Sequence, residues 1–233
     1  MLMRYFATGC LICGKDIVYL DQGKTMTCEI CKKEYHTVSL CEENHFVCDI
    51  CHQMDAISYI TSQALSATSR NPVEIAKSMM EYAFVNMHGP EHHYLACSAL
   101  LSAFKNSGGS IDLEASIEVA RQRTRNLPGG ICGLWGCCGA GVSSGIFVSI
   151  ITGATPLSIA EWSHSNQMTS NSLLEISKNG GPRCCKRNVY ISILSAIDFV
   201  NDTFGIEMER SSDIRCTFNA NNATCKKEEC LFF

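Results

Sequence analysis

The feature that most constrains this chain is the set of cysteine pairs in its first 51 residues. Three pairs share the spacing Cys-x2-Cys, namely Cys10/Cys13, Cys28/Cys31 and Cys48/Cys51. In such a pair both sulfurs can face one point while backbone N–H groups remain free to hydrogen-bond them, and two pairs complete a tetrahedral site. A module of about 50 residues has too little hydrophobic core to fold alone, and bound zinc contributes on the order of 10 kcal/mol of folding free energy. We therefore predict an N-terminal metal-binding module.

Two complete ligand sets can be read along this module, and we expect it to hold two zinc ions. The first set has four thiolates and the second has three thiolates and one imidazole: Cys10, Cys13, Cys28 and Cys31, then Cys41, His45, Cys48 and Cys51. We favour this sequential pairing because each set is complete locally. A cross-braced fold that interleaves the pairs remains open, and His36 and His52 are spare candidates.

The 16 cysteines in 233 residues also bear on the compartment. The first apolar stretch after Met1 is broken by Cys10 and Cys13, so no secretory signal peptide is evident and we expect a cytoplasmic protein. Thiols stay reduced there, so metal binding, redox chemistry or burial must account for the cysteines.

The sequence changes character near residue 55, which predicts a double zinc-binding module over residues 1–54 and a Cys/Gly-rich helical domain over residues 55–233, with a cysteine-containing C-terminal tail. The predicted fold class is mainly α, a small zinc-ribbon-like module followed by an all-α helical bundle. Asn71 and Pro72 form a capping pair, and Pro90, Ser110 or Asp112, and Pro182 mark further helix starts. We predict other helices from Asp55 to about residue 67, over 135–152 and over 156–178.

Residues 126–160 carry no charge, a length that would permit a membrane span. Eight glycines and two prolines dilute their hydrophobicity, so we interpret this segment as closely packed helix. Gly133, Cys137, Gly141 and Gly145 recur every four residues and predict a helical ridge bare of side chains.

Three segments of the helical domain combine residues that can carry chemistry. A histidine in the first turn of a helix is biased towards its neutral form, and basic residues at a helix N-terminus should lower thiol pKa values. The candidates for a catalytic site are His88, His92, Cys132, Cys137, Cys184 and Cys185. The alternative is purely structural, with capping histidines, core cysteines and a solvated basic face.

Three further cysteines lie in the irregular tail, at Cys216, Cys225 and Cys230. With a fourth ligand from Cys184, Cys185 or a histidine they could close a third metal site or hold an iron-sulfur cluster.

These motifs together resemble a known domain family. The resemblance rests on the first two Cys-x2-Cys pairs and on the segments CEENHFVCDIC, HGPEHH, CGLWGCCGAG and GPRCCKRN. The family is an uncharacterised one of anaerobic bacteria and methanogenic archaea, whose members stand alone or are attached to S-adenosylmethionine-dependent methyltransferases. The stretch from Cys138 also resembles small redox-active proteins of anaerobes that are named for a cysteine-glycine motif.

Two functions follow as hypotheses. The first is a metal-binding protein of anaerobic metabolism, with structural zinc and a Cys/His site for thiol-redox or iron-sulfur chemistry, either an enzyme or an electron carrier. The second is a zinc-stabilised adaptor for a partner enzyme such as a methyltransferase. Residues 1–55 carry five Lys and Arg against eight Asp and Glu, and the whole chain has a net charge of −4. Nucleic-acid binding requires a basic face, so we expect a protein partner, with neither nucleic acid nor membrane.

Overall fold

The computed structural model describes residues 9–233, and these form a two-stranded hairpin followed by nine helices. Residues 1–8, with the start of the predicted module and the N-terminus used to judge a signal peptide, lie outside the described residues. The mainly α class with a zinc-ribbon-like module is confirmed. The elements are β1 (Ile17–Thr27), β2 (Glu34–Cys41), α1 (Asp49–His52), α2 (Met54–Ser66), α3 (Pro72–Met80), α4 (Glu91–Asn106), α5 (Leu113–Thr124), α6 (Ile131–Leu134), α7 (Gly139–Thr152), α8 (Ala160–Lys178) and α9 (Cys185–Phe204), with 3₁₀ turns at Asn219–Asn221 and Lys227–Glu229.

The hairpin pairs β1 with β2 in antiparallel register. Ile17 lies opposite Cys41 at the open end, and Thr27 lies opposite Glu34 at the closed end, with an irregularity between Tyr19 and Lys24. The buried core of the described part of the module is small: Cys28, Phe46 and Cys48 form one cluster, and the other buried hydrophobic residues are Cys10, Leu11, Leu40 and Cys41. So little apolar burial cannot by itself offset the conformational entropy lost on folding.

The helical part is built around α4. Every residue from Glu91 to Phe104 is buried, as expected for a helix that is apolar on most sides and surrounded by other helices. Helices α2, α3, α5, α7 and α9 all pack against it. The apolar face of α9, which includes Val189, Ile193 and Val200, is buried in the same core.

Several helix starts agree with the sequence and others do not. The side chain of Asn71 accepts a hydrogen bond from Val73 N, and that of Asp112 accepts one from Ala115 N, so both are true N-caps. Helix α9 begins three residues after Pro182, at Cys185, and Asp55 lies inside α2 behind Gln53 as N-cap.

The uncharged segment is divided between two helices. Helix α7 begins only at Gly139, because Gly136 adopts a left-handed conformation with φ +68° and separates it from α6. The predicted glycine ridge is therefore wrong for Gly133 and Cys137, which lie before α7. Among the described residues, no helix combines the length and hydrophobicity needed to cross a membrane.

Candidate metal centres and the adjoining cleft

The first candidate metal centre lies at the open end of the hairpin. It consists of Cys10 and Cys13, Cys41 at the end of β2, and His45, whose ligand atoms all lie within 4.8 Å of one another. The sulfurs of Cys13 and Cys41 are 3.4 Å apart, and Cys41 Sγ is 3.8 Å from His45 Nδ1. Three thiolates and an imidazole at these distances could hold one metal ion.

The second centre lies at the closed end. Cys28 and Cys31 follow β1, and Cys48 and Cys51 come from the start of α1; their four sulfurs also lie within 4.8 Å of one another. Cys31 Sγ and Cys48 Sγ are 3.8 Å apart. A tetrahedral ion with metal–sulfur bonds of about 2.3 Å sets its sulfurs about 3.8 Å apart, so the spacing suits such an ion.

The pairing is cross-braced, and the sequential pairing that we favoured is wrong. Cys41 lies opposite Ile17, which places it beside the Cys10/Cys13 turn, whereas Cys28 and Cys31 lie past the other end of the strand pair. The antiparallel strands carry the chain from one centre to the other and back, so neighbouring ligand pairs fall at opposite ends. The spare candidate His36 instead pairs with Thr25 in the sheet.

Backbone N–H groups point at the sulfurs of both centres. Glu43 N donates to Cys41 Sγ and Cys48 N donates to Cys28 Sγ, each at 3.3 Å. The N–H of Lys33 lowers the pKa of Cys31 to about 6, whereas burial raises the pKa of Cys10 to about 11. The hydrogen bonds from backbone N–H groups favour the thiolate form of cysteine, which a metal ion requires.

A cleft of about 1400 Å³ separates this module from the helices. Two contacts join its walls: Gly129 N donates to Asp49 Oδ2 at 2.9 Å, and Arg183 donates to the hydroxyl of Tyr19 at 2.8 Å. His52 of the module also approaches Glu91, with its Nδ1 4.0 Å from the carboxylate. The module therefore forms one side of the cleft rather than a separate appendage.

On the helical wall, His92 has a tautomer that its contacts define. Its Nδ1 lies 3.2 Å from the carbonyl oxygen of Gly89 and 3.5 Å from the Glu91 carboxylate, both acceptors, so Nδ1 carries the proton. The lone pair of Nε2 is then free, and this atom is buried without a hydrogen-bond partner. Burial lowers the pKa of His92, which keeps the ring neutral.

The carboxyl of Glu91 is fully buried beside that ring. Burial favours its neutral form, but the adjacent His92 outweighs burial and holds the pKa of Glu91 below its ordinary value. A histidine whose Nδ1–H faces a carboxylate and a carbonyl while Nε2 stays open has the orientation seen in metal-ligating histidines.

In His88, too, one ring nitrogen donates a hydrogen bond and the other is buried without a partner, but here Nε2 is the donor. Its Nε2 lies 3.3 Å from Asn222 Oδ1, and that oxygen also accepts from the backbone N–H of Thr224, so Nε2 must be the donor. Nδ1 is left with a bare lone pair and is buried without a partner. Burial, assisted by Arg183, lowers the pKa of His88 to about 4.

Of the four cysteines predicted for a catalytic site, two line the cleft and two do not. Cys132 and Cys185 line the cleft together with His88 and His92, but Cys137 does not, and Cys184 lines another cavity. Cys138, which sequence reasoning did not select, does line the cleft, and its sulfur accepts a hydrogen bond from Asn188 Nδ2 at 3.3 Å. The available signal was its place at the start of the stretch that resembles cysteine-glycine redox proteins.

The expectation of lowered thiol pKa values at the start of α9 is wrong. Burial raises the pKa of Cys185 to about 12, although Arg183 and the N–H of Gly89 act in the opposite direction. Burial also raises the pKa values of Cys132 and Cys184. These side chains are protonated thiols at neutral pH unless a metal ion displaces the proton.

The tail cysteines do not form a preassembled site. Between residues 9 and 233, the two groups of the module are the only sets of three or more ligand atoms that all lie within 4.8 Å of one another. Cys216, Cys225 and Cys230 line the same small cavity as Cys184, which adjoins the cleft but is lined by none of the cleft cysteines.

The fold and site define a mainly helical protein with a cross-braced Cys/His module and an adjoining cleft lined by Cys and His. Residues 60–233 match DUF5714, a family of unknown function, and the chain belongs to this family. The match includes the helical wall of the cleft but not the module's ligand cysteines and His45. No curated protein and no solved structure matches the chain.

Proposed function

We propose that this protein is a cytoplasmic metalloprotein whose helical domain binds a transition-metal centre in the cleft, beneath a module that two structural zinc ions hold together. The observation that carries the proposal is the pair of imidazole lone pairs at His88 Nδ1 and His92 Nε2. Both are buried and unpartnered, and both residues line the cleft, whose helical side also carries three cysteines. A buried polar atom without a partner is costly, which a bound metal ion would relieve.

The ligand types indicate the class of metal. The module supplies one set of three thiolates with an imidazole and one set of four thiolates, both closed, and such sets are typical of structural zinc. The cleft supplies imidazole nitrogens and the sulfurs of Cys132, Cys138 and Cys185, a mixture that suits zinc, iron, copper or nickel. Its opening to solvent leaves room for a small substrate beside the metal.

The resemblance to domains of anaerobic bacteria and archaea supports a role in anaerobic metabolism, where thiol-bound iron is stable. An iron-sulfur cluster held by the cleft cysteines is the form that would make the protein an electron carrier or redox enzyme. A colourless protein with zinc alone would exclude that form.

Anaerobic purification followed by metal analysis and an absorption spectrum tests the cleft centre. We expect metal beyond the zinc of the module, and the double variant His92→Gln/Cys185→Ser should lose it while module zinc stays. Cys137→Ser, which changes a cysteine outside the cleft, is the matched control. An unchanged metal content in the double variant would contradict the proposal.

Removal of metal tests the module. A chelator should abolish hydrogen-exchange protection in residues 17–41, because the small core of Cys28, Phe46 and Cys48 cannot hold the hairpin alone. Protection in α4 should survive, because that helix is buried among others. Retention of hairpin protection in the chelated protein would show that the ions are not structural.

A second candidate function, an adaptor for a partner enzyme such as a methyltransferase, is favoured by apolar side chains at the start of α8. Leu157 is 92% exposed, Ile159 88% and Trp162 51%. The adaptor hypothesis requires zinc alone and no reactive thiol beyond the ligands. Alkylation of the zinc-loaded protein separates a pure adaptor from the thiol-redox form of the first function, which requires fast labelling of a helical-domain cysteine such as Cys132 or Cys138.

A further inference from the structure

A small cavity beneath the C-terminal tail gathers four cysteines from distant parts of the helical domain. Its volume is about 20 Å³, which is room for a single water-sized sphere. One of the four, Cys184, is the N-cap of α9, and the other three lie in the tail: Cys216, Cys225 and Cys230. The cavity adjoins the cleft, with which it shares Met87, Asn222 and Thr224, but none of these four cysteines lines the cleft.

Hydrogen bonds hold the tail in the path that brings these cysteines together. Cys216 N donates to Phe232 O at 2.6 Å, and Cys230 N donates to Lys227 O at 2.8 Å. Lys226 Nζ donates to the carbonyl of Asn179, the C-cap of α8, at 2.9 Å. The tail therefore folds back on itself and onto the connection between α8 and α9, although it contains only two 3₁₀ turns of three residues each.

Two tail cysteines accept the same kind of backbone hydrogen bond as a ligand cysteine of the module. Phe218 N donates to Cys216 Sγ, and Lys227 N donates to Cys225 Sγ, both at 3.4 Å. In each case the donor lies two residues after the cysteine. The same relation joins Glu43 N to Cys41 Sγ at 3.3 Å in the first metal centre. Such turns point N–H groups at a sulfur and stabilise its thiolate.

Two buried cations beside the cavity have no carboxylate within ion-pair distance, although the buried Glu91 acts on Lys186 from farther away. Lys186 is 3% exposed and Arg187 is 5% exposed, and neither forms an ion pair within the part of the chain that the structure describes. Lys186 Nζ bonds only the carbonyls of Met80 and Val85 and lies 4.3 Å from the Phe218 ring centre. The Arg187 guanidinium bonds the carbonyls of Gly180 and Pro182, and the Asn188 side chain.

Both cations occupy the first turn of α9, where the helix dipole is positive and disfavours them. Buried charges are normally paired. An anionic centre next to them would add to the compensation that the buried Glu91 gives Lys186. Four thiolates around one divalent ion carry a net charge of −2, which would attract both cations.

We propose that Cys184, Cys216, Cys225 and Cys230 bind one zinc ion, which fastens the C-terminal tail to the N-terminus of α9. Binding displaces four thiol protons to solvent and involves no change of oxidation state. Because the four sulfurs do not all lie within 4.8 Å of one another, the ion draws them inwards, and the irregular tail accommodates this shift. This site does not depend on the cleft centre.

Cysteine labelling of the wild-type protein tests the proposed tail zinc site without any substitution. The zinc-loaded protein is treated with a mild alkylating agent, before and after a chelator, and the labelled positions are mapped by mass spectrometry. We expect all four cysteines to be protected with zinc and to label at least tenfold faster after chelation. Rapid labelling of Cys216, Cys225 or Cys230 in the zinc-loaded protein would overturn the proposal.

Metal stoichiometry gives the second test. The double variant Cys216→Ser/Cys230→Ser should contain one zinc equivalent less per chain than wild type, with the zinc of the module retained. Trypsin should also cut the variant faster after Arg215 and Lys226. Cys137→Ser is the control and should retain every equivalent. Equal zinc in the double variant and in wild type would refute the site.

Discussion

At the scale of single residues, burial decides the charge state of the histidines on α4. His93 is 8% exposed, and its ring fills the space that a side chain at Gly139 would need. Burial lowers the pKa of His93 to about 4. The residue was visible in the sequence as one of three histidines within six residues, but the depth of its burial depends on α7 packing against α4.

This pKa predicts an acid-sensitive contribution to stability. In the unfolded chain His93 binds a proton below about pH 6.5, whereas in the folded protein it does so only near pH 4. The unfolding free energy should therefore fall as the pH is lowered from about 6.5 to 4 and level off below that range. The loss attributable to this residue is about 3 kcal/mol.

Denaturant unfolding at several pH values checks this. His93→Gln should remove part of the slope between pH 6.5 and 4, whatever its effect at neutral pH, while metal loss affects both proteins alike. An identical slope in the two proteins would show that His93 titrates normally.

At the scale of elements, helices α7 and α8 approach closely because glycines lie between them. A Cβ atom built at Gly145 would come within 2.7 Å of the Ser165 carbonyl oxygen of α8 and would collide with Thr169. The hydroxyls of Ser144 and Ser172 form a buried hydrogen bond of 2.8 Å across the same interface. The absence of side chains thus allows backbone contact and a polar bond between the two helices.

We predict that Gly145→Ala destabilises the protein by about 1–3 kcal/mol, because the added methyl group forces the helices apart. Gly133→Ala is the matched control, since a Cβ atom there has no neighbour within 4 Å. The control should be neutral or slightly stabilising, because alanine favours a helix more than glycine does. Thermal unfolding of both variants provides the measurement, and equal melting temperatures would contradict the close contact.

The sequence predicted helices better than it predicted their first residues. Asn71 and Asp112 were recognisable because an N-cap depends on only three or four neighbouring residues. The helix predicted over 135–152 begins too early, because the left-handed turn at Gly136 ends the helical path without interrupting the spacing of the glycines. A spacing of four residues predicts a shared face only while the helix continues.

At the scale of the whole molecule, the metal module is joined to the helices across the cleft. Asp49 and Tyr19 on the module contact Gly129 and Arg183 on the helical side. The guanidinium of Arg183 also lies 5.9 Å from the centre of the Tyr19 ring. Access to the cleft thiols consequently depends on these contacts.

We predict that the double variant Asp49→Ala/Tyr19→Phe loosens this contact and exposes the cleft. The loss of about 1 kcal/mol of hydrogen bonding should raise the alkylation rate of Cys132 about fivefold. Cys97, which is fully buried in the helical core, serves as an internal standard. Glu43→Gln is the control variant, because it removes an ion pair with Lys15 inside the module without affecting the cleft. No change in the Cys132 rate would show that the module does not limit access.

The sequence by itself determined the class of fold, the helix caps and the kinds of ligand in the module. Each depends on neighbouring residues or on composition: a Cys-x2-Cys turn places two sulfurs together whatever the rest of the chain does. Only the tertiary structure decided how the pairs combine, because antiparallel pairing of β1 and β2 interleaves them. It also decided which histidine nitrogens are free and which cysteines share a cavity. Those properties arise from contacts between residues far apart in the chain, such as His88 with Asn222, which no local pattern encodes.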